Sequence, residues 1–186
     1  MALVLSRSFR QEMNHMTHSI FGENLIFSFL FGGFAKGYAN ARHDIDTFIC
    51  VNRKFEDQIS RYHEWILSAH RKLGLEHDSI YPFEIVTVKY LNLLVDNCDF
   101  ELKAHSVNDA DDFDKVTWIQ AISDKKIFIS GDRSRLMFYE SKFENIPEKW
   151  KRQAMDQDPD NLTLAQYSPL DVVKKYYTFN ERRLGV

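Results

Sequence analysis

The sequence predicts an α/β (α+β) fold: a small mixed β-sheet flanked by helices, with a helical C-terminal segment. Three observations carry that expectation. Short runs of strand composition, Leu25–Phe31, Asp44–Val51 and Phe83–Val88, alternate with longer stretches of helical period. Glycines punctuate the ends of those runs, at Gly22, Gly32, Gly33 and Gly74. Hydrophobic residues make up 44% of the 186 residues, with 15 Phe, 8 Tyr and 3 Trp, which is enough apolar surface for a packed core and argues against disorder.

Taken in order, Phe9 to Phe21 has a helical spacing of apolar and polar residues, and Gly22 stops it. The aromatic and aliphatic run Leu25–Phe31 reads as a buried strand broken by Gly32 and Gly33. A second strand covers Asp44–Val51. Phe55, Ile59, Tyr62, Ile66, Ala69 and Leu73 then recur at intervals of three and four, an amphipathic helix with Gly74 just past its end. Phe83–Val88 is a third strand, and Tyr90–Asn97 a helix. Asp109–Ser123 is a further helix, whose acidic start suits the positive end of its dipole. Lys126–Asp132 reads as a fourth strand and turn. Arg133–Met155 is helical with an interruption at Pro147, and Asp156–Asn161 is a polar loop. Ser168, Pro169 and Asp171 form a helix start, with Ser168 as N-cap and Pro169 at the first helical position, and this last helix runs into Glu181-Arg182-Arg183. The organisation that follows is a core at 1–132 and a helical C-terminal extension at 133–186, which closes one side of a site or builds a homodimer.

Composition removes several function classes. A net charge of −3, from 24 Lys and Arg against 27 Asp and Glu, lacks the basic excess that a broad nucleic-acid interface requires. Cys50 and Cys98 have no metal spacing and sit among apolar residues, so they read as buried reduced thiols in a cytoplasmic protein. The longest apolar run, near Leu25–Ala35, is short of a membrane span, and Ala2–Leu5 is too short for a signal sequence.

The stretch richest in chemistry is Phe31-Gly32-Gly33-Phe34-Ala35-Lys36-Gly37-Tyr38-Ala39-Asn40-Ala41-Arg42-His43-Asp44-Ile45-Asp46-Thr47-Phe48. Adjacent glycines let backbone N–H groups come close to an anion. On an extended chain Asp44 and Asp46 share one side and Ile45 takes the other. Two carboxylates side by side suit Mg²⁺, whereas a bare Asp-x-Asp is ordinarily a solvated strand edge. It is the preceding strand and double glycine that select the first reading. Glu84 lies in the otherwise apolar run Pro82–Val88, where a charge needs a partner or a metal. Asp78, Asp96 and Asp99 are further carboxylates in reach of that role. Lys36 and Arg42 flank the glycine turn as candidate phosphate contacts. The seven histidines have no metal spacing with cysteine, and His63 and His70 lie two turns apart on one helix.

Together, Gly32-Gly33, the spacer and Asp44-Ile45-Asp46 resemble the nucleotidyltransferase superfamily related to DNA polymerase beta. Glu84 stands where that family carries a third carboxylate. Ala35, Gly37 and Ala39 also resemble the small minimal members, which include antibiotic-modifying enzymes. The resemblance spans about Ile20 to Asp132. Two positions depart from the pattern: Gly33 stands where Ser is frequent, and His43 where Ser or Thr is usual. The resemblance implies a sheet of the nucleotidyltransferase type and transfer of a nucleoside monophosphate, AMP first, from an NTP such as ATP. It implies two Mg²⁺ ions held by Asp44, Asp46 and Glu84, with Glu84 as general base, and phosphates cradled by Gly32 and Gly33 beside Lys36 and Arg42. The acceptor it implies is a hydroxyl of a small molecule or of a protein, with nucleic acid third. The alternatives are a catalytically degenerate module of the same fold that binds nucleotide or a partner, and an antitoxin-type protein adenylyltransferase.

Overall fold

The computed structural model describes residues 3–76, 83–97 and 118–156. Helix α1, Arg7–Phe21, starts where the Ser6 hydroxyl accepts from the Phe9 amide at 3.1 Å. Phe9, Met13, Thr17 and Ile20 form its buried stripe, and Gly22, at φ +52°, closes it. A 3₁₀ turn at Gly22–Asn24 leads into strand β1, Leu25–Leu30. The glycines that follow do not form a simple turn: Gly32–Lys36 winds into a short helix, α2, ended by left-handed Gly37. Strand β2 is Thr47–Val51, helix α3 Glu56–Lys72, strand β3 Phe83–Thr87 and helix α4 Val88–Asn97. Helical residues 118–123, here α5, precede strand β4, Ile127–Gly131. Helices α6, Arg133–Glu144, and α7, Glu148–Met155, are separated around Pro147, which has no N–H to continue a helix and caps the second one instead. The expected helix over Asp109–Ser123 is seen only from residue 118, and the loop and helix expected after Asp156 lie outside the described residues.

The four strands make one mixed sheet in the order β3-β2-β1-β4. β1 is antiparallel to both β2 and β4, whereas β2 and β3 run parallel. Alternation along the strands divides the core into two faces. Ile49, Val51, Phe83 and Ile85 face α1 and α3, packing with Met13, Ile20, Tyr62 and Ile66. Phe27, Phe29, Phe48, Cys50 and Val86 face the other way, against Leu91, Trp118, Ile122, Leu136 and Tyr139. On that second face Phe48 stacks on Phe29 at 4.8 Å and meets the edge of Trp118 at 5.7 Å. Each such ring, fully buried, contributes about 1.5–3 kcal/mol relative to exposure, which outweighs any single surface ion pair. Burial also pushes the Cys50 thiol far above its ordinary value, so it is an inert core residue.

The ends of α3 determine how the site is held. Its C-terminus is a Schellman turn: the Gly74 amide donates to Arg71 O at 3.1 Å, the Leu75 amide to His70 O at 3.1 Å, and Gly74 sits at φ +66°. That turn brings residues 70–76 against the loop that precedes β2.

Candidate functional site

The site is built where β1 ends and β2 begins. β1 and β2 pair as far as Leu30 opposite Thr47, and one more bond extends the pairing, from the Phe31 amide to Asp46 O at 3.0 Å. Past that point the chain must turn at Gly32, which takes φ +65°. A Cβ at Gly32 would lie 1.9 Å from Asp46 Oδ2 and 2.7 Å from Asp46 Cγ. The absence of a side chain there is what lets the Asp46 carboxylate rest on the turn. Gly33 has its own neighbour: a Cβ would lie 2.7 Å from His43 Cδ2. The two glycines are therefore each required by a different side chain of the following loop.

That loop is tied down from four sides. Leu3 N–H donates to Ala39 O at 2.6 Å, and Glu76 N–H to Ala41 O at 2.6 Å. Asn40 closes a local turn: its carbonyl accepts from the His43 amide, its side chain from the Arg42 amide at 2.9 Å, and its own N–H donates to His43 Nδ1 at 3.2 Å. Further along, the buried Ile45 amide donates to His70 Nε2 at 2.8 Å. Asp44 and Asp46 are half-buried while Ile45 between them is wholly buried, so the alternation expected of the pair holds. They lie in the extended segment leading into β2, not within it, because the ladder with β1 ends at Leu30 opposite Thr47 and only the Phe31–Asp46 bond reaches past it.

Glu84 is the second residue of β3, opposite Phe48 in the parallel register, and is 5% exposed. Paired residues share a face, so Glu84 points to the side of Phe48, which lies two residues past Asp46. Among the described residues no group of three or more His, Cys, Asp or Glu side chains is gathered closely enough to hold a metal ion. Asp96 lies exposed on α4, and Asp78 and Asp99 are outside the described residues.

The two flanking cations differ. Lys36 Nζ is 2.6 Å from Asp124 Oδ2, at the end of α5, and that hydrogen-bonded carboxylate holds the ammonium above its ordinary value against the opposing effect of burial. The same ammonium stands 5.9 Å from the centroid of the Tyr38 ring. Arg42 is exposed at the loop tip. His70 is the residue the sequence did not single out. Its only signal was a place on the apolar row of α3, at 3% exposure, where a histidine needs a polar partner.

Among the described residues no helix is long and apolar enough to cross a membrane. Comparison with known proteins gives three results. No curated protein matches the chain. A solved structure described as the "Crystal structure of the toxin-antitoxin with AMP-PNP" is similar over 76% of this chain and 92% of that chain, at 13% identity and a TM-score of 0.42. The model of the nucleotidyltransferase domain matches residues 19–105, a span that takes in Gly32, Gly33, Asp44, Asp46 and Glu84. The glycine turn, the aspartate pair and strands β1, β2 and β3 lie inside that span and β4 lies beyond it, so residues 19–105 are what this chain shares with the nucleotidyltransferase domain.

Proposed function

We propose that this domain transfers a nucleoside monophosphate, AMP in first place, from an NTP to a hydroxyl of a small molecule or of a protein. The observation that carries the reading is the approach of Asp46 to Gly32, which sets a carboxylate directly on a turn bare of side chains. The residues there fit Mg²⁺: Asp44 and Asp46 offer hard oxygen donors, and that ion takes one or two carboxylates together with substrate phosphates and water. Bound with the nucleotide, two Mg²⁺ ions supply charge neutralisation at the attacking and leaving oxygens.

The chain's own residues do the rest. Asp44 and Asp46 orient the donor's phosphates beside the Gly32–Gly33 turn, whose backbone N–H groups are assigned to those phosphates. Lys36, steadied by Asp124, and Arg42 are the cations assigned to those phosphates. Glu84 accepts the proton of the acceptor hydroxyl, whose oxygen forms a bond to the α-phosphorus as the bond to the bridging oxygen breaks and pyrophosphate leaves. The segment from Arg133 onward closes the acceptor side or pairs two copies. The net charge of −3 favours a cationic small molecule over a nucleic acid.

The test is incubation of the purified protein with Mg²⁺ and each of four labelled NTPs, against aminoglycosides, lincosamides, bulk tRNA and a protein lysate. Label from ATP is expected in the small-molecule or protein pool, and Asp46→Asn removes it with the fold kept. Mg²⁺-dependent NTP binding without transfer to any pool overturns the transferase and leaves a binding module. Undiminished transfer by Asp46→Asn overturns the carboxylate assignment.

A further inference from the structure

Ile45 joins the two aspartates, and the peptide unit on its N-terminal side is one of the two that set their carboxylates relative to each other. Its N–H is buried, and such a group needs an acceptor. The sheet does not provide one, since β2 begins only at Thr47. The acceptor is instead a side chain from another element, His70 Nε2 at 2.8 Å in the last turn of α3. Because the amide donates, that nitrogen carries no hydrogen, and the imidazole is the neutral tautomer with its hydrogen on Nδ1.

His70 is itself fixed. Its carbonyl accepts from the Leu73 and Leu75 amides in the Schellman turn, and its ring is buried. One residue beyond that turn, the Glu76 amide holds Ala41 O at 2.6 Å. The end of α3 thus clamps the aspartate loop at two points, 41 and 45. A hydrogen bond made to one side chain is a different matter from the backbone ties, because substitution removes it alone.

We propose that His70 is a positioning residue for the Asp44–Asp46 pair: by accepting from the Ile45 amide it fixes the peptide between them and sets both carboxylates toward a Mg²⁺-bound nucleotide. The proposal rests on the nucleotidyltransferase reading given above. His70 touches no substrate and acts only through the backbone of Ile45. An outer partner of this kind, when removed, typically costs metal sites about 10- to 100-fold in affinity.

Two variants of the full chain separate this role from plain packing. His70→Leu keeps an apolar side chain and loses the acceptor. His70→Gln places an amide oxygen as many bonds from Cα as Nε2 and keeps it. Three quantities are read: thermal unfolding, hydrogen exchange at the Ile45 amide, and affinity for a non-hydrolysable ATP analogue with Mg²⁺. In His70→Leu the Ile45 exchange is expected to rise about fivefold, the worth of a typical hydrogen bond, and analogue affinity to fall about 10- to 100-fold. His70→Gln is expected to restore both. If His70→Leu does not fold, His70→Asn, whose side chain is too short to reach, takes its place with the same expectation. A folded His70→Leu that binds the analogue as the parent does overturns the proposal, and so does a His70→Gln variant as impaired as His70→Leu. Unchanged Ile45 exchange overturns the hydrogen bond itself. Absence of analogue binding by the parent protein removes the nucleotidyltransferase reading and, with it, the role assigned to His70.

Discussion

The imidazole of His43 occupies the space that a side chain at position 33 would take, its Cδ2 lying 2.7 Å from where a Gly33 Cβ would stand. These are the two positions at which the chain departs from the minimal nucleotidyltransferase pattern, and the structure shows them in contact. The glycine makes room for the histidine, and the histidine fills what the glycine leaves open. Asn40, donating to Nδ1, holds the ring in that place.

This contact predicts a coupled pair of substitutions. Gly33→Ser alone pushes the ring off its seat and costs about 1–3 kcal/mol as an overpacking change, since Gly33 itself has no left-handed backbone to strain. His43→Ser alone leaves the seat empty. The double variant Gly33→Ser with His43→Ser is expected to recover much of the loss, with a coupling of about 0.5–3 kcal/mol in a double-mutant cycle read by denaturant unfolding. Strict additivity of the two single effects would show that the contact has no energetic weight.

The neighbouring glycine predicts a different signature. Gly32→Ala meets both a φ of +65° and the Asp46 carboxylate at 1.9 Å, so the carboxylate must leave the turn. The backbone part of the cost is about 1–2 kcal/mol. The larger effect falls on nucleotide affinity: Mg²⁺-dependent binding of an ATP analogue, followed by calorimetry, is expected to fall by more than the stability loss accounts for. A variant that is destabilised yet binds normally would mean that Asp46 finds its working position from elsewhere.

What could be read along the chain and what could not divides by range. The stop of α1 at Gly22 and of α3 at Gly74 follow from local period and glycine chemistry, and the structure has both. β2 begins at Thr47, three residues after the Asp44 that composition predicts, because a strand ends where its neighbour ends, and the ladder with β1 stops at Leu30 with a single further bond from Phe31 to Asp46. The glycine-rich segment reads as a turn, since glycine disfavours helix, yet residues 32–36 form a helical turn ended by left-handed Gly37. At the site, residue types and spacing marked out the aspartates. The bond from Ile45 to His70, 25 residues away, and the ion pair of Lys36 with Asp124 are tertiary contacts with no local signature.

Gly131 tests the frame that carries the site. It ends β4 at φ +94°, and a Cβ there would lie 2.5 Å from Ile26 O and 2.7 Å from Phe27 Cα. Those atoms are backbone of β1, the strand that leads to Gly32, and cannot swing aside as a side chain does. Gly131→Ala is expected to destabilise by about 2–4 kcal/mol, the sum of left-handed strain and overpacking, lowering the melting temperature by roughly 5–15 °C. Gly37→Ala, also at positive φ but with open space around it, carries only the strain and loses about 1–2 kcal/mol. Equal losses in the two variants would remove the close strand approach as the cause.

His63 is buried on α3 beside Phe83, their rings 6.4 Å apart, and burial holds its pKa below the ordinary 6.5, with Glu64 opposing weakly from solvent. The folded protein therefore binds a proton at His63 less readily than the unfolded chain does. Between pH 6.5 and the lower folded value the unfolded state carries more protons, so stability rises with pH there and is lost as the solution is acidified. His63→Phe keeps a ring in the same pocket without a proton site. Denaturant unfolding of both proteins from pH 7.5 to 5 is expected to give curves that run parallel above 6.5 and separate below it, with the variant losing less. Other histidines and carboxylates titrate in both proteins alike and cancel from the difference, so parallel curves across the whole range would mean that His63 is protonated as easily in the fold as out of it.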